Sequence, residues 1–309
     1  MPDWNTMEKY FNIIGVIALL VFPIISGIPV LGYFTQIAAL IAVIYLSYRN
    51  RYILLGIGAI GSIVSASLVF GFSMVLLGVW AGTVITGAVF GRLLNTGVSP
   101  GKSFFIAVLV SSLISFLLFW FERDLIFKAL DEANRWILTG LTTGSGLAPA
   151  EADRMTDWAN TMIALVKRLI PSMMALSGAL QLFFGWLCLA ILLKGLGEFV
   201  PSFGNFITWK MPDYYIYISG FFLLSRLIGT EFIKIIADNF LLFLGFFYAI
   251  FGFSVFEFYL KKIRLSPMLR VFFYIGLIFL QLPGLILAAV VGFIDSYFDF
   301  RKVRARIIG

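Results

Sequence analysis

Charge-free stretches long enough to cross a bilayer recur along the chain. A helix needs about 20 mostly apolar residues to span a hydrocarbon core of roughly 30 Å. Residues 10–48 carry no charge, and Pro23, Gly27 and Pro29 punctuate their middle, so the pattern predicts two spans, near 10–27 and 30–48. Residues 52–91 predict two more, near 52–69 and 72–91, with Gly71 between them. Single spans are expected over 103–121, from Pro171 towards Lys194, and within 239–256 and 271–294. The stretch 212–229 qualifies only if Arg226 snorkels or faces protein. The expected fold is an all-α, polytopic transmembrane helix bundle of eight or nine helices, with an amphipathic helical hairpin between two halves. The apolar runs are continuous and do not alternate, which argues against a transmembrane barrel.

The long polar stretch, Glu122 to Arg168, supplies that hairpin. Leu125, Ile126, Ala129, Leu130, Ala133, Trp136 and Ile137 recur at helical spacing, as do Met155, Trp158, Ala159, Met162, Leu165, Val166 and Leu169. Pro149 suits a first helical turn, with Glu151 and Asp153 near its positive end. Thr142, Thr143, Gly144, Ser145 and Gly146 read as the turn. The organisation expected is one integral membrane domain, 1–309. It comprises Gly/Ala-rich spans over 10–121, a surface hairpin over 122–170 with its apolar face down, and Phe/Leu-rich spans with a basic tail over 171–309. The hairpin is either a connection between the halves or a lid over a cavity.

Composition narrows the chemistry. Hydrophobic residues make up 61% of the chain and charged residues 13%, which a water-soluble globule cannot bury. The sequence has no His, so imidazole-based catalysis and His-ligated metals are excluded, and its one Cys, Cys188, forms neither an internal disulfide nor a metal cluster. Cys188 lies among apolar neighbours and reads as inert packing. The net charge of +7 reads as juxtamembrane charge facing anionic lipid, and no soluble basic domain is present to hold nucleic acid. Asp3 and Glu8 precede the first apolar run, which therefore reads as a retained span rather than a cleaved signal. An inside N-terminus would place the Arg49–Arg51 and Arg92–Lys102 loops in the cytoplasm. With nine spans the tail of Arg301, Lys302, Arg304 and Arg306 then falls outside, against the positive-inside rule.

Two sets of residues stand out within the spans. Small residues four apart, Ala38 with Ala42, Gly78 with Gly82 and Gly87 with Gly91, let helix backbones approach, either within the bundle or against a partner's membrane helix. Intramembrane polar groups are costly and mark candidate sites. Arg226, Glu231, Lys234, Asp238 and Asn239 are the densest cluster; on one continuous helix Arg226 and Lys234 would share a face, and Glu231 would pair with Lys234. Gln36, Gln181 and Gln281 each need a hydrogen-bond partner in hydrocarbon. Glu257 and Lys261 form an i,i+4 pair. The candidate ligand contacts are Arg226, Glu231, Gln181 and Asn239. No catalytic residue, metal site or cofactor is expected. The segment Gly97-Val98-Ser99-Pro100-Gly101-Lys102-Ser103 is not a phosphate-binding loop, because only three residues separate its glycines and a span precedes it.

Tyr48-Arg49-Asn50-Arg51, the Gly-rich stretch Gly78 to Gly91, Leu169-Ile170-Pro171, Asn239-Phe240-Leu241, Ile250-Phe251-Gly252 and the closing Gly292-Phe293-Ile294-Asp295-Ser296-Tyr297-Phe298-Asp299-Phe300-Arg301-Lys302 together carry a family likeness. The chain resembles the YybS-like family of bacterial membrane proteins, a family without an assigned function. That resemblance implies distant kinship with the substrate-binding S components of energy-coupling factor transporters and with the rod-shape protein MreD. S components resemble six-helix bundles that capture a vitamin or metal and dock through small-residue faces on a transmembrane coupling subunit with paired ATPases. Ala38 and Ala42 suit such docking. The resemblance implies a bacterial inner-membrane subunit that binds a small molecule or lipid for transport, with membrane lipids and a membrane-protein partner around it. The alternative it implies is a non-transporting scaffold of envelope assembly. The chain departs from the S-component pattern in its extra helices and long amphipathic insertion, and the absence of His argues against nickel or cobalt as cargo.

Overall fold

The computed structural model describes residues 4–25, 29–70, 74–144, 149–195, 197–198 and 202–301. Asp3, Gly27, Gly71, Ser145, Gly146, Lys302, Arg304 and Arg306 lie outside them. The described residues form ten α-helices: α1 (Trp4–Ile25), α2 (Pro29–Tyr48), α3 (Tyr52–Phe70), α4 (Met74–Asn95), α5 (Pro100–Gly144), α6 (Pro149–Gly195), α7 (Tyr214–Ile228), α8 (Glu231–Lys262), α9 (Pro267–Phe279) and α10 (Leu282–Phe298). A short 3-10 turn, Phe206–Thr208, precedes α7. Four helices begin on proline (Pro29, Pro100, Pro149 and Pro267), where the missing N–H costs nothing. α4 ends on Gly97 at φ 81°, and the Val98 N–H donates back to the Leu93 carbonyl. Gly97 to Ser103 is thus a helix stop followed by the Pro100 start.

Two compact units emerge, Met1–Ser202 with α1–α6 and Phe203–Gly309 with α7–α10. The expected division at 122–170 is absent from that place, because both helices of the hairpin belong to the first unit. Four helices are long and apolar enough to cross a membrane among the described residues, and five if the bent pair α9–α10 is one span. Lys9–Val21, Phe34–Tyr48 and α7 are shorter apolar segments. The single span expected over 271–294 is broken. α9 and α10 meet at 112°, and Gln281, expected inside that span, sits exposed at the break with φ 49°.

In the first unit α1 packs on α2 and α3, α2 on α4 and α6, α4 on α5, and α5 on α6. Leu19, Val43, Ile44, Leu46, Phe90, Val108 and Leu182 are almost wholly buried, and the Phe90 and Trp186 rings meet edge to face at 5.6 Å. The glycine faces of α4 are spent inside this bundle. A Cβ on Gly78 would overlap Leu118, one on Gly82 would lie 3.1 Å from Ile114, and one on Gly87 would lie 2.7 Å from Val43. A Cβ on Gly91 would lie 2.5 Å from the Ile44 carbonyl oxygen. Gly78, Gly82, Gly87 and Gly91 therefore pack α4 on α5 and α2. Ala42 is buried with them and Ala38 is half-buried. Gly56 on α3 meets no neighbour within 4 Å. Gly56→Ala is expected to raise stability by about 0.5–1 kcal/mol through helix propensity. Gly91→Ala, forced against backbone, is expected to lower it. Thermal unfolding of the purified variants reads both.

Residues 122–144 continue α5 and residues 149–170 begin α6, so these segments are extensions of spans and not separate helices. Pro171 lies within α6 without ending it. A surface-lying hairpin needs a break near 122 and another near 171, and the helices have neither. The two extensions pair side by side. Asn134 donates to Asn160 at 2.8 Å, Lys167 pairs with Asp131 at 2.6 Å, and Ala159 is buried at the contact. Trp136 and Trp158 remain exposed. Cys188, expected as inert packing, lies on an exposed face.

The second unit is built on α8. Met211, Tyr215, Leu244 and Tyr248 form its buried apolar cluster, and Phe222, Phe251 and Phe293 pack around them. α10 crosses α8 with backbones in contact: a Cβ on Gly252 would overlap the Ala288 carbonyl, and one on Gly292 would overlap that of Tyr248. Next to this crossing lies Arg301, which the charge pattern places in an exposed basic tail. It is instead almost fully buried. All five of its N–H groups are used. Nε and Nη2 donate to Asp295 Oδ2 at 3.1 and 2.8 Å, Nη1 to the Ile207 carbonyl at 2.5 Å and to Ser254 Oγ at 2.6 Å, and Nη2 also to the Trp209 carbonyl at 2.7 Å. Ser254 donates in turn to the Phe206 carbonyl at 2.6 Å. One guanidinium thereby ties the 3-10 turn to α8 and α10.

Candidate functional site

Four helices of the first unit line a half-open cavity of about 220 Å³. Its wall follows helical periodicity. α2 contributes Gln36 and Leu40; α4 contributes Val79, Gly82, Thr83 and Thr86; α5 contributes Ser111, Ile114, Ser115 and Leu118; α6 contributes Met174, Ser177, Gly178 and Gln181. On each of the last three helices the four positions run i, i+3, i+4, i+7, which is one face of a helix. Small and hydroxyl side chains on those faces keep the helices from closing completely.

The polar groups converge from separate helices. Gln181 Nε2 donates to Gln36 Oε1 at 3.0 Å, linking α6 to α2. Thr83 Oγ1 donates to the Val79 carbonyl of its own helix at 3.0 Å. Thr86 is 4% exposed, and its hydroxyl has no hydrogen-bond partner. Among the described residues, no charged side chain contributes to this wall. The cavity can therefore hold a neutral molecule with hydrogen-bonding groups, and it offers nothing to balance an ion.

The expected ligand residues fall in different units. Gln181 lines the cavity of the first unit, whereas Arg226, Glu231 and Asn239 belong to the second. The helix breaks at Gly229 and Thr230, so Arg226 on α7 and Lys234 on α8 do not share the face that a continuous helix would give them. Arg226 pairs with Asp238 at 2.6 Å, and Glu231 pairs with Lys234 at 2.8 Å as its spacing predicts. Asn239 donates to the Ile235 carbonyl of its own helix at 2.9 Å. The Arg226–Asp238 pair joins α7 to α8, and the other two contacts stay within α8. Glu257 pairs with Lys261 at 3.4 Å as expected; it also accepts from Arg270 at 2.6 Å and from Tyr274 at 2.9 Å, both on α9.

Sequence reading missed Thr83, Thr86, Ser111, Ser115 and Ser177. The signal was the recurrence of hydroxyl residues at i, i+4 or beside glycine on α4, α5 and α6. Hydroxyls are cheap in membrane helices because they can bond to the preceding turn, so they draw less notice than charges.

The bundle, the broken α9–α10 pair and the membrane-length apolar helices define a polytopic helical membrane protein. The chain belongs to the family described as predicted membrane protein (DUF2232), whose profile matches residues 15–296. No curated protein and no solved structure matches it.

Proposed function

We propose that the protein is a ligand-capturing subunit of the bacterial cytoplasmic membrane, similar to the S component of a transporter, and that the cavity of its first unit is the binding site. The observation that carries this reading is the convergence of Gln36, Thr86 and Gln181 from three helices on one apolar-walled space, with the Thr86 hydroxyl buried and unbonded. The first unit holds six helices, the number that the S-component resemblance implies. The sequence offers no phosphate-binding loop, so energy coupling falls to separate subunits, a transmembrane coupling protein with paired ATPases. The YybS-like resemblance agrees with this assignment.

The test is purification in mild detergent followed by mass spectrometry of extracted small molecules and copurifying proteins. The expected result is a stoichiometric small molecule that disappears in Ser177→Leu, where the larger side chain occupies the cavity. Cell-wall or division proteins without any such molecule would favour an envelope scaffold and overturn the capture reading.

A further inference from the structure

We infer that the cavity selects a neutral molecule carrying a carboxamide-type edge, an N–H donor beside a C=O acceptor, as in a primary amide, a lactam or a urea. This inference rests on the proposal that the cavity is a ligand site. The Gln36 and Gln181 carboxamides share one hydrogen bond, from Gln181 Nε2 to Gln36 Oε1. That bond leaves the Gln36 Nε2 donors and the Gln181 Oε1 acceptor unspent, since each side-chain amide carries two donors and an acceptor with two lone pairs. The two free groups lie on adjoining amides in the same wall. A ligand amide meets them with its own oxygen on the donor and its own N–H on the acceptor. Exchanging O and N in both glutamines reverses the roles but keeps a donor beside an acceptor, so the inference does not depend on amide orientation.

Three further observations bear on the class. Thr86 lines the same cavity, and its buried hydroxyl has no hydrogen-bond partner. The wall has no Lys, Arg, Asp or Glu, so a carboxylate or ammonium would enter without a counter-charge. A volume of about 220 Å³ lies below the roughly 300–1,000 Å³ of sites for drug-sized ligands, so the molecule, or the part of it that enters, is small. A ligand with only an acceptor fills one of the two glutamine positions and leaves the other unpaired. Discrimination against a missing partner is the sharpest kind that a buried polar site makes.

The experiment compares three ring-matched probes on the full-length protein in lipid nanodiscs, with affinities measured by saturation-transfer NMR. The probes are benzamide (donor and acceptor), acetophenone (acceptor only) and benzoate (anion). Ser177→Leu marks which binding belongs to the cavity. Benzamide is expected to bind at least about tenfold more tightly than acetophenone, the value of one to two net hydrogen bonds. Benzoate is expected not to bind. Gln181→Leu and, independently, Gln36→Leu are each expected to reduce the benzamide advantage; the variant that removes the donor weakens acetophenone as well, and the one that removes the acceptor leaves acetophenone unchanged. Equal binding of benzamide and acetophenone, or tighter binding of benzoate, would overturn the amide class and leave the cavity as a ligand site. Binding of no probe in a manner sensitive to Ser177→Leu would overturn the site itself and the amide class with it.

Discussion

Replacing Arg301 with Leu is expected to destabilise the second unit by about 3–5 kcal/mol, the usual cost of leaving a buried charge without its partner. The side chain of Asp295 is 2% exposed, so loss of the guanidinium strands its carboxylate, and the carbonyls of Ile207 and Trp209 lose their donors together. The measurement is thermal unfolding in detergent, combined with limited proteolysis of residues 203–213. Early cleavage there is expected, because Arg301 ties the turn to α10 and, together with Ser254, to α8. Asp295→Leu in the same chain is expected to recover most of the stability, since an apolar pair no longer buries a lone charge. Arg301→Leu melting within about 0.5 kcal/mol of the wild type, the range of an ordinary surface change, would refute the assignment.

The second large effect is expected at the α8–α10 crossing. Gly252 and Gly292 each face backbone, the Ala288 and Tyr248 carbonyls respectively, and backbone cannot rotate aside as a side chain can. Gly252→Val and Gly292→Val must push the helices apart along their contact. Overpacking a core costs typically about 1–3 kcal/mol, and more where nothing yields. Each variant is expected to reduce the yield of folded protein and to broaden its elution in size-exclusion chromatography. Gly245→Ala on the same α8 is the control, since its Cβ meets nothing within 4 Å. If the crossing variants behave like the control, the close approach of the two backbones is wrong.

The helical class and most helix positions were legible because they depend on apolar runs, which charge-free gaps delimit directly; of the eight or nine spans expected, four or five are long and apolar enough to cross a membrane among the described residues. α2 and α3 end close to where those gaps place them. The extended α5 and α6 were harder to read. Glu122 and Arg168 mark where hydrocarbon stops, but a charge does not end a helix, and neither polar segment holds a break at its membrane side. The charge cluster at Arg226–Asn239 attracted notice through expense alone. It is expensive only if buried, and Arg226 retains 44% of its side-chain exposure while pairing locally. Arg301 shows the reverse error. Counted as one basic residue among several, it is bound by groups on three separate segments, a relation that no local pattern encodes. The glutamines were found because an amide in a span demands a partner wherever it lies, and Gln36 and Gln181 satisfy that demand in each other across 145 positions of sequence. The adjoining hydroxyls, content with their own helix or silent in composition, gave no such signal.

The unbroken helices α5 and α6 also bear on how such a protein can be imaged. At 1.5 Å per residue, 45 and 47 residues make rods of about 68 and 70 Å, more than twice a hydrocarbon thickness of roughly 30 Å. A detergent micelle hides most of the contour of a small membrane protein. A paired rod of this length stands clear of the micelle, marks one side of it, and fixes orientation in projection without an added antibody fragment.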